Sequence, residues 1–393
     1  MKQRYDLIIL LILIPLLIIS LFITYGFFDK SPSDVFIGVA AAYDNVDEIK
    51  ALADEAGSYI NTIVIGSTGI VHNFTKLDDV CQYIYDRGLH FMIYGHPLND
   101  TSELAIQRQW VLDAKPRWGD YFLGLYAFDE PAGRQLDNAS LKVVKDEDWF
   151  ANNNEEAANK FVDRLDLVLN HTIRDQLGAS ELPLYTSDYA LYWFDYKAGY
   201  DVVFAEFGCN YSRTLNLALC RGAANIQNKD WGVMITWTYT KEPYLENGTD
   251  LYNDLVLAYD NGAKYILVFD SNKNYTHTTL DGDRLNALKQ FWRYAGNNPR
   301  SSNPTPDRVA HVLPKDYGYG FRGPTDRIWG LWPADSFSFE ISTQVGGFID
   351  KYQNRLDLIY DDGLKANCSY GYSEITFWNG TVWNPPTPSP DSK

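Results

Sequence analysis

Residues able to do chemistry stand where buried runs of this chain end. Segment 122–131, FLGLYAFDEP, is apolar through Phe128 and then stops at Asp129, Glu130 and Pro131. Carboxylates are costly beside an apolar interior unless paired, and proline ends a strand because it has no N–H for the ladder. A further acid, Glu206, sits in the apolar run FAEFG. Other runs close on Tyr43 and Asp44, His96, Asp188 and Tyr189, Trp237 and Tyr239 with Glu242 just beyond, and Asp270. Two carboxyl groups facing one cleft can break a glycosidic bond. One protonates the leaving oxygen, and the other attacks the sugar or activates water. Separations of about 5–5.5 Å give retention and about 6.5–9.5 Å inversion. Other chemistries lack their residues. His96 is nearly alone among the run ends, too little for hydrolytic zinc, no GxSxG elbow supports a serine nucleophile, and no spaced cysteines suit haem or iron–sulfur. No metal and no cofactor are therefore expected.

Each acid has a plainer reading beside the catalytic one. Glu130 is either the general acid or a loop acid paired with Arg134. Glu206 is either its partner or a buried acid held by Arg213. Neighbouring residues of a strand point to opposite faces, so one of Asp129 and Glu130 faces the cleft, and Glu130 is the expected one. Asp188, Glu242 and Asp270 read as ligands of sugar hydroxyls, and His96 as a substrate ligand or a structural histidine. Tyr43, Tyr189, Trp237 and Tyr239 offer flat faces to sugar C–H groups, or serve only as packing.

The elements that must carry these residues alternate. Short apolar runs occupy 35–41, 62–66, 90–95, 122–128, 182–187, 202–207, 232–237 and 265–269. Their nearly continuous hydrophobicity marks strands buried on both faces. Between them, apolar residues recur at helical spacing, as in Val46, Ile49, Ala53, Ala56 and Ile60, or Leu285, Leu288, Phe291 and Trp292. Eight strands alternating with helices predict an α/β chain with a (β/α)8 TIM barrel over 30–299, where strand carboxyl ends build the site. A doubly wound open sheet is the alternative, but no GxGxxG or GxxxxGK[ST] follows the first strand. The fourth connection is long, and the fifth helix, around 190–198, is short and aromatic. Residues 300–307 read as a linker, 308–384 as a small α/β domain, and 385–393 as a disordered tail. A Gly/aromatic loop bearing Arg322, Arg327, Trp329 and Trp332 either walls the barrel mouth or docks the small domain, and docking is the expected role.

With these residues in place the chain resembles a (β/α)8 glycoside hydrolase. FDEP at the fourth strand is similar to the Asn-Glu-Pro that carries the acid/base glutamate in the large clan of retaining barrel glycosidases. The resemblance implies Glu130 as acid/base. It departs from the clan at Asp129, where asparagine is usual, and at the seventh strand, GVMITWTYTKEP, where Glu242 stands beyond the nucleophile's usual place. Glu206 is better placed, and other barrel glycosidases pair acids of strands four and six. The resemblance covers roughly residues 35–298 and rests on one short motif.

Composition bounds the partners. The 393 residues are 15 % aromatic and 22 % charged, with net charge −17. A chain this acidic lacks the basic footprint of a nucleic-acid partner and is disfavoured on anionic lipid. Lys2 and Arg4 precede an apolar run from Leu7 to Phe28, long enough for a span of about 20 residues. No Ala-x-Ala cleavage pattern follows, so 1–29 reads as a transmembrane signal anchor, with the N-terminus cytoplasmic and the rest extracellular. If it is cleaved, the protein is secreted. Nine N-glycosylation sequons, at Asn73, Asn99, Asn138, Asn170, Asn210, Asn247, Asn274, Asn367 and Asn379, agree with an exported chain. Four cysteines allow a Cys209–Cys220 bridge with Cys81–Cys368 joining the two domains, or other pairings. The expectation is a cell-surface, membrane-anchored protein that hydrolyses or binds carbohydrate, an oligo- or polysaccharide. The competing class is a non-catalytic surface glycoprotein that uses the barrel as a scaffold and self-associates. The sequon at Asn210, beside the expected site, bears on that choice, because a glycan there could block the mouth.

Overall fold

The computed structural model describes residues 32, 34–137, 142–145, 150–300, 308–362, 364 and 371–383. Eight parallel strands close into a barrel: β1 (Phe36–Ala41), β2 (Thr62–Ile65), β3 (His90–Tyr94), β4 (Phe122–Tyr126), β5 (Leu184–Asp188), β6 (Val202–Phe207), β7 (Asp230–Ile235) and β8 (Tyr265–Asp270). Phe36 lies opposite Tyr265 and Ala41 opposite Asp270, so β1 and β8 seal the sheet. The eight expected runs are these eight strands. The difference that matters is at β4, which ends at Tyr126 and not at Phe128.

The helices are α1 (Val46–Ala56), α2 (Thr68–Val71), α3 (Phe74–Asp86), α4 (Thr101–Trp118), α5 (Pro131–Asp137), α6 (Asn154–Val168), α7 (Tyr192–Lys197), α8 (Arg213–Gln227), α9 (Gly248–Asp260), α10 (Gly282–Asn297) and α11 (Ser336–Tyr352). Several begin where a short polar side chain accepts the first free N–H groups: Asn45, Asn73, Asp100, Asn247 and Asp281 do so. The predicted apolar stripes face inward, as Ile49, Leu52, Ala53 and Ala56 of α1 are buried. Inside the barrel, Tyr185, Phe204 and Tyr265 meet with ring centroids 5.5–6.0 Å apart and floor the interior. Above them the mouth stays open.

A second sheet orders β10 (Leu356–Tyr360), β9 (Val309–Leu313), β11 (Glu374–Phe377) and β12 (Val382–Trp383), with only the last pair antiparallel. Its β10 packs on α8, where Arg221 Nε donates to Asp357 Oδ1 at 2.6 Å, both side chains buried. Gly222 permits this approach, since a Cβ there would lie 2.5 Å from Leu358 O.

Two expectations about cysteine and the N-terminus need restating. Cys81, Cys209 and Cys220 are free thiols, so the Cys209–Cys220 bridge is not formed. Cys220 is buried on α8 with its thiol aimed at Val203 O, while Cys209 is exposed beyond β6. Cys368, the sequons at Asn138 and Asn367, the anchor 1–29, most of the linker and the tail lie outside the described residues. Among the described residues no helix is long and apolar enough to cross a membrane. The described sequon asparagines, Asn73, Asn99, Asn170, Asn210, Asn247, Asn274 and Asn379, are all exposed.

Candidate active site

The strand period of two sorts the end residues before any contact is considered. Tyr126 of β4, Tyr185 of β5, Phe204 of β6 and Met234 of β7 belong to the barrel interior. Ser187 and Glu206, two residues beyond Tyr185 and Phe204, therefore also point inward. Asp188, next to Ser187, points the other way.

The inward groups form one polar cluster. Tyr126 OH donates to Asp129 Oδ1 at 2.6 Å, and Ser187 Oγ donates to Glu206 Oε1 at 2.5 Å. The two hydroxyls touch at 2.8 Å, and the Ser187 N–H reaches Tyr126 OH at 3.2 Å. The Glu130 N–H donates to Ser187 O at 3.1 Å, so Ser187 joins the two acids, and the Glu130 charge acts directly on Glu206. Burial first, then the Asp129 charge, pushes Glu130 from the ordinary 4.5 up to about 7. Burial, Glu130 and Asp129 push Glu206 well above the usual carboxylate range. Arg134 is the cation facing them, with Nη2 at 3.2 Å from Asp129 and Nε at 3.7 Å from Glu130. Arg213, the alternative partner considered for Glu206, instead holds Glu246 and Asp254.

The turn that presents the acids is not extended, which corrects the expectation that Asp129 and Glu130 face opposite ways. Phe128 and Glu130 have φ of 54° and 53°. Left-handed backbone at non-glycine residues costs on the order of 1–3 kcal/mol each and needs support from its surroundings. With alternation broken, Asp129 and not the expected Glu130 lines the mouth cavity, while Glu130 lies toward Ser187 and Glu206.

That support comes from outside β4. Asp188 is fully buried and accepts from the N–H groups of Ala132 and Gly133 at 2.7 and 2.8 Å, capping α5 directly behind the acids. Gly133 lets Tyr189 close on the same helix, since a Cβ would sit 2.2 Å from the Tyr189 ring. Gln135 Nε2 donates to Trp329 O at 2.8 Å, and Arg322 Nη1 bonds Asp137 Oδ2 at 2.6 Å. Trp329 is itself fully buried against Phe161 and Phe194. The Gly/aromatic loop thus docks the second sheet onto α5.

A cavity of about 340 Å³ opens at the mouth beside the cluster. Asp44, Asp129 and Arg134 bring charge to its wall, Tyr94, Tyr126, Phe269 and Tyr275 bring rings, and Met234 closes its side. Met234 pairs in register with Glu206, so the buried acid lies next to this wall. Tyr94, Tyr126 and Tyr275 are not among the expected site residues, and Asp44 is expected only as the end of the first run. For Tyr94 and Tyr126, inward parity at the last residue of a strand is the signal that finds them.

The remaining expected site residues separate. Asp270 points outward and is surrounded by Thr278 Oγ1 at 2.7 Å and the Thr279 N–H at 2.6 Å. Tyr43 is fully buried near Asp270 and does not line the cavity. Asp188 is the helix cap just described. None of these three is placed to hold a sugar, because each lies on the outward side of its strand. Tyr189 stacks on Tyr211 at 5.8 Å and donates to Asp137 at 2.7 Å. Trp237 stands 6.2 Å from Tyr275 and donates to Ser271 O at 2.9 Å, at the cavity's edge. Tyr239 is 48 % exposed, and Glu242 is exposed on the same loop, outside the cavity wall. His96 is exposed on the mouth side, its ring 5.9 Å from that of His72. No group of three or more metal-ligating side chains occurs among the described residues.

No protein-family model matches the chain, and no curated protein matches it by sequence. Solved structures do. A polyextremophilic beta-galactosidase from the Antarctic haloarchaeon Halorubrum lacusprofundi is 10 % identical over 87 % of this chain and 69 % of its own, with TM-score 0.59. A Bacillus subtilis mannanase is 13 % identical over 71 % of this chain and 92 % of its own, with TM-score 0.39. The beta-glycosidase BGL167 is 10 % identical over 70 % and 99 %, with TM-score 0.41. At these identities the likeness is one of fold, and the first comparison carries it.

Proposed function

We propose that the chain is a glycoside hydrolase whose acid pair is Glu130 and Glu206. The observation that carries this reading is the gathering of the two acids around Ser187, where the Glu130 N–H donates to Ser187 O and Ser187 Oγ donates to Glu206, with Glu130 raised to about 7. A carboxyl with that pKa is half protonated at neutral pH and still acidic enough to give its proton away. A sugar enters from the cavity. Glu130 in its protonated form gives its proton to the glycosidic oxygen as the bond to C1 breaks. Glu206, oriented by Ser187 Oγ, forms the new bond to C1. Glu130 then takes a proton from water, the resulting hydroxide attacks C1, and Glu206 leaves. Tyr94, Phe269 and Tyr275 supply stacking faces, and Asp44, Asp129 and Arg134 supply partners for sugar hydroxyls. The chain enters β1 at the barrel end opposite the mouth, so an anchor at 1–29 would leave the site facing away from the membrane, outside the cell.

The test is hydrolysis of a panel of aryl glycosides and polysaccharides by the parent, Glu130→Gln and Glu206→Gln, with the product anomer followed by NMR. Activity that falls about 10²–10⁴-fold in both variants, with their fold intact, supports the pair. Parent activity that survives both substitutions rejects it.

The second reading is a surface scaffold without catalysis. It is favoured by a specific feature: Glu206 is only 7 % exposed, and neither it nor Glu130 lines the mouth cavity. Absence of turnover on every substrate, with glycan binding unchanged in both variants, would establish that reading.

A further inference from the structure

The sequons are not scattered over the barrel. Asn73 caps α3 after β2, Asn99 precedes α4 after β3, and Asn210 lies between β6 and α8. Asn247 caps α9 after β7, and Asn274 lies between β8 and α10. In a parallel barrel every strand-to-helix connection lies at the carboxyl ends of the strands. These five asparagines therefore share the face that carries the cavity and the acid pair, and all five are exposed. Of the asparagines in the helix-to-strand connections at the opposite end, Asn61, Asn228 and Asn261 are not followed by x-Ser/Thr, and Asn170, between α6 and β5, is the sequon there. Two of the mouth sequons carry a tyrosine as their middle residue. Tyr275, of Asn274-Tyr275-Thr276, lines the cavity, and Tyr211, of Asn210-Tyr211-Ser212, stacks on Tyr189 at 5.8 Å. Asn170 and Asn379 are the described sequons away from the mouth.

We propose that Asn73, Asn99, Asn210, Asn247 and Asn274 carry N-linked glycans that form a collar around the barrel mouth, so that the site admits the free end of a glycan and excludes the interior of a polymer. N-linked glycans are bulky and hydrophilic, and five of them on the loops of one barrel end leave an entrance narrower than the protein surface alone. The cavity agrees with a short guest, because about 340 Å³ is near the lower bound of ligand pockets, about 300 Å³. The second half of the proposal rests on the glycosidase reading, and the first half does not.

The experiment uses the full chain purified from the cells that make it. Peptides are released before and after enzymatic deglycosylation in ¹⁸O water, which converts each glycosylated asparagine to a labelled aspartate read by mass spectrometry. Label at the five mouth asparagines is the expected result. Unlabelled asparagine at most of them overturns the collar, whatever the protein catalyses. The second arm compares Asn210→Gln/Asn274→Gln with the parent; neither asparagine caps a helix, so the fold is not at risk from a lost cap. Hydrolysis of a long polysaccharide relative to an aryl glycoside should rise by about tenfold or more in the variant. An unchanged ratio with the sites occupied in the parent refutes exclusion of polymers. Occupied sites with no turnover by either form refute the enzyme reading and leave the collar standing.

Discussion

Replacing Glu130 by glutamine removes a titration that the fold makes costly, and the effect can be read without any substrate. Burial and the Asp129 charge move Glu130 from 4.5 to about 7. A group that holds its proton more tightly in the folded chain than in the unfolded one weakens folding as pH rises from about 4.5 to about 7, and leaves a constant deficit above that. At 1.36 kcal/mol per unit the deficit comes to about 3 kcal/mol. Glutamine keeps the shape of the side chain but cannot ionise. Parent and Glu130→Gln should therefore have similar stability near pH 4, and the variant should gain about 3 kcal/mol by pH 9. The loss of one charge from the pair also makes Glu206 easier to ionise, which adds in the same direction. Urea unfolding followed by tryptophan fluorescence at a series of pH values measures this, provided the m-value does not change. A variant whose stability runs parallel to the parent's from pH 4 to 9 would refute the burial of Glu130 and with it the account of how the acid is tuned.

Other outcomes follow from neighbouring contacts. Asp129→Asn removes a negative charge that raises Glu130, so the alkaline limb of the kcat/KM profile should move to lower pH; movement to higher pH would contradict the geometry of the turn. Arg322→Met leaves the buried Asp326 carboxylate without its cation and should cost about 3–5 kcal/mol in urea; because Asp137 loses the same cation and Asp326 also accepts from the Arg322 and Arg327 N–H groups, Arg322→Met/Asp326→Leu should recover only part of it. In the native chain a charged thiol reagent should modify Cys209, while Cys81 and Cys220 should react only after unfolding, as mass spectrometry of the labelled peptides would show.

Much of this arrangement was legible in the sequence, for physical reasons that differ from residue to residue. The barrel was legible because continuous apolar runs of strand length, each followed by an amphipathic stripe, admit few other packings. Glu206 was legible because it lies two residues from Phe204 in an unbroken strand. Parity also explains the misplacements: Asp188 and Asp270 were grouped with the cleft by position alone, although an inward Ser187 and an inward Phe269 turn both of them toward the helices. Tyr94 and Tyr126 read as ordinary strand residues, which hides their place in the cavity wall. The turn at 128–130 had no signature at all, since Phe and Glu are not residues that announce left-handed backbone. Only tertiary contacts decide that conformation, and no local pattern encodes them.

Those contacts make the second sheet part of the site. Helix α5 has seven residues, too few to hold together by its own hydrogen bonds, yet it must fix a turn with two left-handed residues at its start. Asp188 holds the first N–H groups, Tyr189 lies flat on Gly133, and the loop from the second sheet closes the remaining side through Trp329 and Gly330. Gly330 has φ of 64°, and a Cβ there would lie 2.2 Å from Gln135 O, so the loop meets the α5 backbone at the closest approach a chain allows. Without that loop the Gln135 amide would lose its bond to Trp329 O, Asp137 would lose Arg322, and buried faces of α5 would meet water. Each buried polar group left unsatisfied costs about 1–3 kcal/mol, comparable to the strain stored in the turn. The same interactions that balance this strain hold Glu130 toward Glu206, so the geometry of the acid pair depends on residues nearly two hundred positions further along the chain as much as on FDEP itself.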